Sequence, residues 1–115
     1  MQIKNLTRKI SFHAEFATNI FALTKGLSFS KPKNILFKFP FAMKWQFWMF
    51  GVSYKIWIAF LDDNKRVVEV LQAIPLTLNP KTWKVYQPKK PCKYILEMPE
   101  KLANVNDLLM WNSKL

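Results

Sequence analysis

Glycine, cysteine, histidine and acidic residues are all scarce in these 115 residues, and each shortage closes a class of function. The two glycines, Gly26 and Gly51, stand alone. A phosphate-cradling loop needs several close together so that the backbone can approach the ligand, so nucleotide binding by such a loop is not expected. Cys92 is the single cysteine and His13 the single histidine. No internal disulfide can form, which suits a reducing compartment and a cytoplasmic location. One ligand of each kind is too few for a structural zinc site, so neither metal nor cofactor is expected. Cys92 and His13 also lie far apart in the chain, and nothing in the sequence joins them as nucleophile and base. Lysines interrupt every long apolar run, which excludes a membrane-spanning helix. The first sixteen residues start basic, but His13 and Glu15 break the stretch where a signal peptide would be apolar.

The seven acids face eighteen lysines and arginines, leaving a formal charge of +11. No acid occurs between Glu15 and Asp62, or between Glu69 and Glu97. Lys25, Lys31, Lys33, Lys38, Lys44 and Lys55 occupy the first gap; Lys81, Lys84, Lys89, Lys90 and Lys93 occupy the second. Such an excess raises encounter rates with anionic ligands, nucleic acid or ribosomes. The charges come singly or in pairs, and solvated surface lysines account for them equally well.

What the chain has in quantity is apolar surface. Half of it is hydrophobic and 16% is aromatic, enough for one domain with a real core. The pattern is of short strands. Strands are expected over residues 9–16, 34–39, 45–52, 54–61, 66–71, 93–98 and 108–111, with a shorter one over 83–86. Residues 54–61 are nearly all apolar, as in a strand covered on both faces. Asp62 to Lys65 is the strongest turn signal. Thr18 caps an expected helix over 19–25 that Gly26 ends. Pro40 is expected to end its strand or place it at an edge, and Pro99 to open a brief helical turn. Residues 73–91 hold four prolines and read as irregular. Short strands with little helix indicate a compact β-sandwich or partly open barrel in a single domain.

The order of these elements carries a resemblance. Lys25-Gly26-Leu27 is followed by the strand 35–39 with Pro40, then by Phe47-Trp48-Met49 and Gly51. Phe60-Leu61-Asp62, Val67-Val68, Pro88-Lys89-Lys90, Tyr94-Ile95-Leu96-Glu97 and Asn106-Asp107 come next. From Phe12 to Trp111 the chain resembles the family catalogued as domain of unknown function 192, as a divergent member of archaeal type. The resemblance implies a jelly-roll-like sandwich with one or two short helices, and it implies no activity. Three places depart from the family pattern. Ser28 and Ser30 stand where Met and Arg are usual, Lys55 and Trp57 where a Pro-x-Asp unit is usual, and Asn106-Asp107 replaces Gly-Asp. Whatever site the family has is therefore lost or rebuilt here.

Phe37, Phe39, Trp45, Phe47 and Met49 are expected in the core. Burying a ring removes about 150–250 Å² from water, which rivals any gain from stacking on a ligand. Trp48, Phe50 and Trp57 are expected to point away from that face and, with Trp83 and Tyr86, to wall a cleft. Lys44, Lys55, Lys84, Lys89 and Lys90 are the basic residues placed to flank it. Three functions compete. The first is a non-catalytic module that binds an anionic or sugar-like ligand, or a protein segment, by stacking and charge-assisted hydrogen bonds. The second is nucleic-acid or ribosome binding through the lysines. The third is an enzyme of unrecognised type using Glu69, Glu97 or Asp107 with a lysine. Glu69 and Glu97 are expected to face outward beside lysines, and Asp107 to shape a turn. Cys92 is expected to be inert, although the neighbouring lysines favour its thiolate.

Overall fold

The structure, a computed structural model, describes residues 1–17, 33–49 and 54–112, without the side chains of Phe47 and Trp48. The expected helix over 19–25 lies outside them, as do Ser28, Ser30 and Phe50.

Ten strands follow in order: β1 (Gln2–Asn5), β2 (Ile10–His13), β3 (Glu15–Ala17), β4 (Ile35–Met43), β5 (Phe47–Trp48), β6 (Ile56–Leu61), β7 (Val67–Ala73), β8 (Val85–Tyr86), β9 (Cys92–Met98) and β10 (Leu109–Trp111). A 3-10 turn, Pro80–Thr82, precedes β8. The fold is mainly β and sandwich-like, and no barrel closes. Its centre is a five-stranded sheet in the order β3-β4-β9-β6-β7. Among the described strands only the β3–β4 pair is parallel.

Both faces of this sheet are covered, which explains why its strands are apolar on both sides. On the first face Ile35, Phe37 and Phe39 of β4, Ile56, Ile58 and Phe60 of β6, and Ile95 of β9 pack with Met49 and Tyr86. The small β5-β8 sheet lies over this side. On the second face Leu36, Ala59, Leu61, Tyr94, Leu96 and Met98 pack against Ile3, Phe12, Leu109 and Trp111 from the three-stranded sheet β10-β1-β2. The parity differs between strands: odd residues of β4 face the first layer, but even residues of β6 do.

Sequence expectation and structure differ at several points. β1 is absent from the sequence reading, because its inward positions are Ile3 and the polar Asn5. Pro40 does not end its strand. β4 runs on to Met43, and the proline sits where the pairing with β9 slips between Lys38 and Met43, a bulge position that needs no ladder donor. The expected brief helix after Pro99 is an irregular stretch.

The turns behave as their residues require. Asp62 accepts hydrogen bonds on Oδ1 from the backbone N–H of Asn64 (2.9 Å) and Arg66 (3.0 Å). Asn106 has φ 75°. That left-handed conformation admits Gly or Asn far more readily than other residues. Asparagine therefore suits the turn.

Candidate functional site

Of the five cleft residues expected from sequence, the three whose side chains the structure describes, Trp57, Trp83 and Tyr86, do not share one wall. Tyr86 is buried in the first layer, where its hydroxyl accepts from the Ile74 N–H at 3.1 Å. Trp57 is half-buried on the opposite face of the central sheet, with the Lys101 ammonium 5.0 Å from its ring centre. Trp83 is exposed at the end of the 3-10 turn. Trp48 is opposite Val85 in the β5–β8 pair. Phe50 is outside the described residues.

Among the lysines, Lys44, Lys55, Lys84, Lys89 and Lys90 are all exposed, yet several rings already have a lysine over them within the chain. Lys84 Nζ lies 5.4 Å from the Tyr86 ring centre and Lys65 Nζ 4.7 Å from that of Trp111. Each such contact contributes about 0.5–1 kcal/mol at an exposed site. Part of the alternation of lysine with aromatic in the sequence is thus consumed by folding.

An open apolar surface remains at the far end of β4. Past the bulge, Phe41 is 56% exposed and Met43 is exposed. Trp45 folds back along the strand. Its indole N–H donates to the Phe41 carbonyl at 3.2 Å, and its ring stacks on buried Phe39 with centroids 4.3 Å apart. The Phe41 ring leans on it at 5.5 Å and 42°. Met43, Lys44, Trp45, Gln46 and Gln87 line a groove of about 490 Å³ beside this stack. The Gln87 side chain closes one end by donating to the Lys44 carbonyl at 3.1 Å. Phe41 and Met43 escaped the sequence reading because β4 was expected to stop at Pro40, whereas it runs on past the bulge with every residue from 40 to 43 exposed.

The titratable groups divide clearly. Cys92 is buried beneath this end, and burial pushes its thiol up to about 11 against a partial offset from a hydrogen bond with the Trp45 backbone. The lysines beside it in sequence do not bring it down; burial is the dominant effect. Asp107 is buried and structural. Its Oδ2 accepts from Asn5 Nδ2 at 2.9 Å and from the Asn104 N–H at 2.8 Å. Glu69 accepts from the Lys89 N–H at 2.9 Å.

Glu97 reverses its expectation. It faces inward, and it is 0% exposed. Its register partners are Ile35 and Ile58, both on the first layer. Neither carboxylate oxygen has a hydrogen-bond partner among the described residues. Burial alone raises its pKa well above the ordinary carboxylate range. The sequence signal was available: Glu97 shares the parity of Ile95, a core position. The groove at Trp45 is lined by none of Glu69, Glu97 and Asp107. No group of three metal-ligating side chains occurs among the described residues. No helix among them is long and apolar enough to cross a membrane.

Comparison with known proteins agrees with the fold. The model of the DUF192 family, described as Uncharacterized ACR, matches residues 2–109. A UPF0127 protein of Pyrococcus furiosus is 32% identical over 113 residues, covering 91% of each chain. A crystal structure of a protein of unknown function from Novosphingobium aromaticivorans superposes with a TM-score of 0.77 at 19% identity, over 96% of this chain and 82% of that one. A Sinorhizobium meliloti structure, whose name proposes a transcription regulator, gives 0.78 at 16% identity, over 95% and 91%.

Proposed function

From the premise that the chain belongs to the DUF192 family, the Uncharacterized ACR, we propose that it is a non-catalytic binding module. Its groove at the far end of β4 takes an anionic or sugar-like ligand. The observation that carries this reading is the tilted Phe41–Trp45 ring pair, with Phe41 open to water and half-buried Trp45 lining a groove with Lys44 and Gln87. Large rings normally leave water on folding. Here one ring is anchored on the core by Phe39 while its neighbour stays open. A ring or sugar face can stack there, with the Lys44 ammonium and the Gln87 amide as hydrogen-bond donors. The absence of a carboxylate from the groove lining supports a binding role over acid–base chemistry.

A titration with a heparin-derived hexasaccharide, an anionic sugar, tests the groove. The wild-type chain is expected to bind, and Phe41→Ala to weaken binding about tenfold, since a stacked ring is worth about 1–3 kcal/mol. Phe41 is exposed, so its removal leaves the thermal melt near that of the wild type. Equal affinity in the variant removes the reading.

The net charge of +11 favours a second reading, binding of nucleic acid across the basic surface. The name of the Sinorhizobium protein is compatible with it. Its mark is affinity for single-stranded RNA that falls steeply with salt and is indifferent to Phe41.

A further inference from the structure

Between β7 and β8 the chain builds a small, rigid projection from residues 77–84. Thr82 Oγ1 accepts from the Thr77 N–H at 2.9 Å and donates to the Asn79 carbonyl at 2.8 Å. The Thr77 and Thr82 hydroxyls are 3.2 Å apart, and Thr77 Oγ1 accepts from the Asn79 N–H at 3.1 Å. Asn79 Oδ1 caps the turn by accepting from the Lys81 N–H at 3.1 Å. The Trp83 N–H donates to the Pro80 carbonyl at 3.0 Å. The indole N–H of Trp83 closes the loop on the Thr77 carbonyl at 2.6 Å.

This loop spends its polar groups on itself and offers its apolar ones outward. Leu78 is 96% exposed and Trp83 59%. Lys81 and Lys84 are exposed on the same loop, and Lys89 and Lys90 follow after β8. From residue 70 to residue 96 no acid interrupts this basic stretch.

We propose that this projection docks on an anionic lipid bilayer, with Leu78 and Trp83 entering the interface and the lysines resting on the headgroups. Three features favour lipid over a nucleic acid or an acidic peptide. A loop that approaches an apolar phase gains from pairing its polar groups internally, because lipid offers no partners; the two threonine hydroxyls, Asn79 Oδ1 and the indole N–H are paired in this way. Tryptophan with its donor satisfied is suited to the membrane–water boundary. Exposed lysines on and after an apolar loop match the negative surface of an anionic membrane. The internal hydrogen bonds also fix the loop beforehand, so docking orders little chain. The proposal is independent of the groove at Trp45, which lies outside the loop.

Co-sedimentation of the full chain with vesicles provides the test. The chain is expected to bind vesicles of phosphatidylcholine with about a third phosphatidylserine and not phosphatidylcholine alone, because each lysine near an anionic surface is worth about fivefold in affinity. Leu78→Ser is expected to reduce that binding about five- to tenfold with an unchanged thermal melt, since the side chain touches almost nothing. Lys81→Glu is expected to reduce it more at low salt than at high salt. Two results overturn the proposal: no binding to the phosphatidylserine vesicles, or undiminished binding by Leu78→Ser. Loss of single-stranded RNA or acidic-peptide binding in Leu78→Ser, without any vesicle binding, overturns it in favour of those partners.

Discussion

Replacing Glu97 by leucine is expected to stabilise the protein by roughly 1–4 kcal/mol at pH 7.5 and to change it little at pH 4. The carboxyl group has no access to solvent and no partner among the described residues. An isolated charge at such a place is costly, so burial favours the protonated form. Its folded pKa lies above the unfolded one, near 4.3. The sign follows from proton counting. Below pH 4 both states hold the proton and nothing is lost. As pH rises, the unfolded chain releases it while the folded chain retains it, so stability falls by about 1.4 kcal/mol per pH unit. The fall ends at the raised folded value. Urea unfolding from pH 4 to pH 8 measures this slope directly. Glu97→Gln keeps the shape and removes the titration, so its stability should lack this component of the pH dependence. A Glu97→Leu protein less stable than wild type at pH 7.5 would show that the carboxylate has a partner that holds it charged.

The opposite result is expected at the second buried carboxylate. Asp107→Ala should cost about 3 kcal/mol, because it removes two buried hydrogen bonds and strands their donors. The site ties three parts of the chain together. Asn5 Nδ2, on β1, reaches both Asp107 Oδ2 at 2.9 Å and the Leu102 carbonyl at 3.0 Å. Asn5 Oδ1 accepts from the Arg8 N–H at 3.1 Å. The N-terminal hairpin is thereby fastened to the turn that precedes β10. Asn5→Ala should cost a similar amount. The double variant should cost distinctly less than both together, since each single change orphans the other partner. Chemical unfolding of the three variants gives the coupling directly, and simple additivity would refute the cluster as a unit. The two carboxylates are both buried, yet one is an unpaired liability and the other a clamp that holds two donors on one oxygen.

That contrast marks how far the sequence could be read. The apolar run that became β6 announced burial on both faces, and the turn at Asp62 announced the hairpin to β7. The Asn106-Asp107 pair announced a turn, and left-handed Asn106 shows why asparagine suits it. Other features depend on registration between strands, which local pattern does not encode. Odd residues face the first layer on β4 and even residues do so on β6. Trp57 therefore sits on the second layer, across the sheet from Tyr86, although each reads locally as a cleft residue. Past the bulge at Pro40 β4 continues with every residue exposed, which leaves Phe41 and Met43 at the surface. Inward-facing Asn5 concealed β1 altogether, because half of its buried positions are polar.

The central claim is that most rings join the layers of this fold, and that recognition is left to the Phe41–Trp45 ring pair. The most direct measurement follows the indole N–H resonances of the isotope-labelled chain during titration with the heparin-derived hexasaccharide. The account predicts that the Trp45 signal moves while those of Trp57 and Trp111 stay in place. Movement of Trp57 or Trp111 with Trp45 unchanged would contradict it.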